Sequence, residues 1–210
     1  MSLPKNFEAI EKHLDKYFTN KDEILVIDEK ESIDFHLDIY WIKANQNRNY
    51  TLLLSNGISS NQLKVPDKSL SEYIELCILL PPDWKMEDDN WKKPENYWPI
   101  GLIKNLGRYP IKFNTWLGYG HTIMETKPLC GTNFIATILL KSETLNNDFD
   151  DNFNKIQYDK NKIEIFLLFP LYIEELNYKK KYGTDKLLEL FAKEDLDEII
   201  DIKRKNVCKT

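Results

Sequence analysis

Cysteine is scarce in this chain and never closely paired. Cys77, Cys130 and Cys208 stand far apart among 210 residues, which excludes the short spacings of zinc sites and redox motifs and leaves three reduced thiols. No charge-free run approaches the roughly 18 residues that cross a bilayer, and no apolar run follows a basic segment near residue 1. A cytoplasmic protein without a membrane partner is therefore expected. No Gly/Ser/Pro linker divides the sequence and no repeat of solenoid period occurs, so residues 1–210 are expected to form one domain. Positive charge is also short: the formal net charge is -5 and the isoelectric point about 5.4. That balance opposes direct nucleic-acid binding, which depends on basic surfaces to displace counterions, and suits a basic protein partner.

Core-forming residues are plentiful. Hydrophobic residues make up 42% of the chain and aromatic residues 12%, enough to fold without disulfides. Phe7, Ile10, Leu14 and Tyr17 recur every three or four residues and predict an opening helix. From 33 to 41 the period becomes two, with Ile33, Phe35, Leu37, Ile39 and Trp41 on one face, predicting a half-buried strand. Strands are also expected at 50–55, with Asn56-Gly57 as the following turn, and at 73–80, 134–140 and 163–169. A helix is expected to open at Trp98-Pro99 and stop at Pro110. The stretch 81–96 reads as a covering or functional loop, and 142–155, rich in Asn and Asp, as a mobile one. Two last helices are expected at 171–182 and 184–193, separated by Gly183, with Thr184 capping the second. Strands in runs, with helices before, between and after them, predict an α+β domain whose mixed, largely antiparallel sheet is covered by helices.

Chemistry-bearing residues are few. Asp34, His36 and Asp38 share a strand face, but same-face neighbours lie about 6.6–6.8 Å apart, too wide to close on one ion without bending, so a solvated face is favoured over a metal site. His121 has the ordinary imidazole value near neutrality that a general base needs. It lacks a Gly-x-Ser-x-Gly elbow or a cysteine signature to work with, so no catalytic residue is assigned. Gly118-Tyr119-Gly120 has neither the spacing of a phosphate loop nor that of a dinucleotide fingerprint, and no cofactor is expected. The two glycines free the backbone for positive φ, so Trp116, Tyr119 and His121 are expected on a sharp turn. Together with Trp84 and Trp91 they form the candidate protein-binding aromatic set, while Trp98 is expected in the core. Glu143, Asp148, Asp150 and Asp151 are expected in an acidic loop that steers a cationic partner.

Several motifs, weak singly, resemble the suppressor-of-fused-like domain family in their order and spacing. They are a strand ending in Leu79-Leu80-Pro81-Pro82-Asp83-Trp84, a helix from Trp98-Pro99 through Leu106-Gly107-Arg108-Tyr109-Pro110, and the turn Leu117-Gly118-Tyr119-Gly120-His121-Thr122. Phe169-Pro170-Leu171-Tyr172-Ile173-Glu174-Glu175-Leu176 is similar to the family's strand-to-helix segment, and Asp201-Ile202-Lys203-Arg204 to its closing stretch. The resemblance implies a protein that binds other proteins. Its bacterial branch implies an immunity protein, or antitoxin, that neutralises the cognate toxin domain of a polymorphic toxin system, often a nuclease, by blocking it. Two alternatives stand beside this reading. One is a cytosolic hydrolase or ligand-binding domain that uses His121 with His36 or a carboxylate in a cleft roofed by 81–96. The other is a regulatory scaffold.

Overall fold

The continuous apolar runs of the sequence become the middle of a sheet. In the computed structural model, which describes residues 5–18, 24–27, 36–150 and 152–209, β4 (Tyr73–Leu80) and β8 (Asn161–Leu171) lie parallel, with Tyr73 opposite Ile163 and Cys77 opposite Leu167. Antiparallel pairs extend the sheet from both sides of this centre. Beyond β4 come β3 (Thr51–Asn56), β2 (Asp38–Ile42) and β1 (Ile24–Ile27); beyond β8 come β6 (Ala136–Leu140) and β5 (Thr122–Met124). A further strand, β7 (Lys155–Tyr158), pairs with the first residues of β8, and β6 takes over from Leu167 onward. The fold is α+β with a mostly antiparallel sheet, as the sequence predicts.

Helices cover both faces, which is why the central strands do not alternate. On one face α1 (Lys5–Tyr17), α3 (Glu143–Asp148), α4 (Ile173–Tyr182) and α5 (Thr184–Lys193) set Ile10, Leu145, Leu176, Leu187 and Phe191 against Leu52, Leu79 and Ile165. On the other, α2 (Pro94–Phe113) sets Ile100, Ile103 and Leu106 against Ile39, Leu53, Ile78 and Leu168. Full burial of each such aliphatic side chain contributes roughly 1.5–3 kcal/mol before chain entropy is counted.

Several expectations change. The strand expected at 33–41 is described as Asp38–Ile42 and is not half-buried: Ile39, Tyr40, Trp41 and Ile42 are all buried because α1 and α2 take opposite faces, while Ile33, Asp34 and Phe35 lie outside the described residues. The α2 helix starts at Pro94 rather than Trp98 and runs past Pro110 to Phe113, ending on Asn114 at φ 50°. Pro94 is at the start of the helix, where its missing N–H is not needed. Pro99 and Pro110 each withdraw one donor inside a helix whose apolar face is already buried. Residues 142–155 are not a free loop, for Ser142 Oγ accepts the Leu145 amide at 3.1 Å and caps α3, and β7 begins at Lys155. Thr184 does not cap α5; Gly183, at φ 92°, precedes it and makes no side-chain cap. The strands β1, β5 and β7 had no expectation.

Two buried carboxylates hold elements together. Glu75 on β4, fully enclosed, accepts the amides of Gly57 and Ser59 at 3.0 Å each, the Ser59 hydroxyl at 2.7 Å, and the Ser55 hydroxyl. Burial pushes its carboxyl up to about 6, outweighing the hydrogen bonds from the two serines and the two amides, which pull the other way. Arg204 forms a bidentate pair with Glu175, at 2.7 and 2.6 Å, and donates to the carbonyl of Pro170 at 2.8 Å. Glu175 also accepts the amides of Tyr172 at 3.0 Å and Val207 at 3.2 Å, so α4, β8 and the closing stretch share one ion pair.

Candidate binding turn and groove

The turn between α2 and β5 is anchored at both ends. His121 N–H donates to the carbonyl of Gly118 at 3.1 Å, and Gly120 stands at φ 76°, the arrangement of a type II turn with Tyr119 at its second position. Gly120 N–H donates to Leu139 O at 2.7 Å and Leu139 N–H to His121 O at 2.9 Å, tying the turn to β6. The two glycines serve different ends. Gly120 supplies the positive φ, and a Cβ there would meet Thr184 Oγ1 at 2.8 Å. Gly118 has no positive φ; a Cβ on it would press into the Trp116 ring at 2.7 Å.

Trp116 and His121 support the turn. Their ring centroids are 4.1 Å apart, and both are half-buried. Burial, reinforced by the Lys179 ammonium, holds the His121 imidazole below its ordinary value, against a hydrogen bond to the Trp116 backbone. Tyr119 projects outward, 45% exposed, with its phenol pushed up by partial burial and by Asp185 and Glu143. Beside it runs a groove of about 620 Å³ between β6, α3, α5 and residues 196–198, floored by Leu140, Phe169, Leu188 and Phe191.

The remaining predicted site residues lie elsewhere. Trp84 donates its indole N–H to the Asn96 carbonyl at 3.1 Å and meets Trp98 edge-on, and Trp91 leans on Tyr97, so both brace α2. Trp98 is buried in the core as expected. Asp148 accepts the Tyr50 hydroxyl at 2.7 Å. Asp150 accepts Lys16 Nζ at 3.0 Å and the Tyr17 hydroxyl at 2.9 Å, and these partners hold its carboxyl below the usual range. Both aspartates are thus engaged within the protein, and Asp151 lies outside the described residues. Glu143, the remaining member of that predicted loop, instead bears on the Tyr119 phenol together with Asp185, which sequence spacing alone does not bring to it.

His36 sits on Phe7 and pairs with Asp38 at 3.0 Å, remote in the fold from the Trp116–His121 contact. The hollow under residues 82–90 is lined by Trp41, Lys43, Thr51, Trp84 and Met86, and neither histidine lines it. Among the described residues no cluster of His, Cys, Asp and Glu is arranged to hold a metal ion, and no helix is long and apolar enough to cross a membrane.

The profile of the family described as Suppressor of fused protein (SUFU) matches residues 34–205. The chain belongs to the suppressor of fused family. It is similar to the uncharacterized protein UU111 of Ureaplasma parvum serovar 3, 24% identical over 186 residues that cover 89% of this chain and 86% of that one. A putative SUFU homologue from Neisseria gonorrhoeae has the same fold, with a TM-score of 0.70 at 16% identity and 98% of each chain covered. A chain of the Sufu–Fu complex superposes with a TM-score of 0.69 at 16% identity, covering 98% of this chain and 93% of that one. Drosophila Suppressor of Fused gives 0.68 at 16% identity; there 97% of this chain matches 51% of the longer one. The turn at 117–122 lies within the region matched by the family profile.

Proposed function

We propose that this suppressor of fused family member is an immunity protein, which binds a cognate toxin domain and blocks it, a nuclease being the first candidate. The observation that carries the reading is the anchored turn. A 45% exposed Tyr119 stands on a backbone fixed to β6 and braced by Trp116 and His121, so its ring meets a partner with little further loss of freedom. One of its structural relatives is a Sufu–Fu complex, and protein binding suits this member too. The net charge of -5 favours encounter with a basic surface such as a nuclease's nucleic-acid face.

Blocking needs slow dissociation and an interface of at least about 1,000 Å², which the turn alone cannot provide and the neighbouring groove extends. Co-expression with the product of the adjacent gene tests the reading: cells survive, and Tyr119→Ala weakens the complex about 30-fold, the effect of losing about 2 kcal/mol at a central aromatic. Continued killing beside folded, abundant protein refutes it.

A further inference from the structure

We infer that the groove beside Tyr119 takes a segment of another protein that sets an apolar side chain next to a lysine or arginine. The inference rests on the protein-binding reading above and names the chemistry of what is bound. Leu140, Phe169, Leu188 and Phe191 give the floor no polar group to satisfy, so it accepts an apolar side chain. The rim is acidic. Glu143, Asp197 and Glu198 stand against Lys141 among the described lining residues, three carboxylates to one ammonium.

Their placement is set by the fold. Glu198 accepts the Ser142 hydroxyl at 2.5 Å and the amides of Glu143 and Thr144 at 2.9 and 3.1 Å, and Asp197 accepts the Ile199 amide at 2.9 Å, so the two carboxylates are pre-organised. Asp185 adds its field at Tyr119. A low-dielectric floor under an acidic rim concentrates that field on whatever enters. A second copy of this chain, itself at -5, is mismatched in charge, and an acidic or phosphorylated segment more so.

The test uses the whole chain and two short synthetic peptides, one alternating leucine with arginine and the other leucine with glutamate. Binding is read by fluorescence polarisation and by NMR shifts of the groove amides. The basic peptide is expected to bind, more weakly as salt rises, and to shift Tyr119, Leu188 and Ala192; the acidic one is expected to leave them unmoved. Ala192 is exposed on α5 at the groove. Ala192→Arg adds bulk and the partner's own sign and should weaken the basic peptide by about tenfold or more, whereas Ala192→Glu, of similar reach, should weaken it less. Equal binding of both peptides, shifts confined to another surface, or no binding overturns the inference. Killing in cells beside intact peptide binding removes the immunity reading alone. Full protection that Ala192→Arg leaves unaltered, without peptide binding, removes the groove alone.

Discussion

Glu75 gives the sharpest test of the fold's electrostatics. Its carboxyl is raised from the usual 4.5 to about 6 by burial. A raised folded-state value means that the folded protein holds the proton more tightly than the unfolded chain. Glu75 therefore contributes stability that is fully present below about 4.5 and is lost as pH rises through about 6. A shift of roughly 1.5 units corresponds to about 2 kcal/mol across that window. Glu75→Gln cannot titrate, so its stability relative to the wild type should improve by about 2 kcal/mol between pH 4.5 and 7.5. His13 and His121, both held low chiefly by burial, contribute stability that is present above the ordinary imidazole value and lost as pH falls through their lowered ones; this opposite trend cancels in the difference. Glu75→Leu separates charge from hydrogen bonding. It strands four donors, the amides of Gly57 and Ser59 and the hydroxyls of Ser55 and Ser59, and at about 1 kcal/mol each it should lie about 4 kcal/mol below Glu75→Gln at any pH. Urea unfolding followed by tryptophan fluorescence, repeated across the pH range, measures all three proteins. A flat difference between Glu75→Gln and wild type refutes the reasoning.

Arg204→Met leaves Glu175 enclosed without its cation and should cost about 3–5 kcal/mol in the same assay, while Glu175→Met combined with Arg204→Met costs less than the two singles added, a non-additivity that a double-mutant cycle reads directly. Gly120→Ala imposes both a positive φ and contact with Thr184 Oγ1, for a loss of about 1–3 kcal/mol; in a Thr184→Ala background only the backbone penalty of about 1 kcal/mol should remain in thermal unfolding. Thiol labelling of the native protein should modify exposed Cys130 first and Cys77 only on unfolding, since burial both hides the Cys77 thiol and pushes its ionisation up; labelling of both at one rate contradicts the buried placement.

The sequence reveals what is local and periodic. The strand at 73–80 and the helix pair broken at Gly183 are legible because their apolar spacing and punctuation lie within each segment. Double burial of β2 is not, since it depends on α1 and α2 covering opposite faces. β5 spans three residues, too few to show a period. The α3 helix hides behind Asn and Asp, although Ser142 with its apolar Leu145 is a cap signal. At the site, the sharp turn and the outward Tyr119 are legible from Gly-x-Gly, and the groove is not, because Leu140, Phe169 and Phe191 meet only through the sheet. Likewise Asp148 and Asp150 look free in sequence, and Tyr50 and Lys16, which engage them, lie 98 and 134 residues away. An acid inside Tyr73–Leu80 is the one sequence signal that β4 carries a buried polar hub.

The strand β8 borders β4, β6 and β7 at once. During synthesis, β1 through β4 leave the ribosome as a half-sheet whose inner edge stays unfilled until Leu171 has been added. The helices α1 and α2 are made before β8 and are available to cover the two faces, but the β4 edge stays unpaired for that interval and the distant pairing that closes it comes late. Cutting the gene between β4 and β8 should yield two insoluble pieces that regain solubility only when made together.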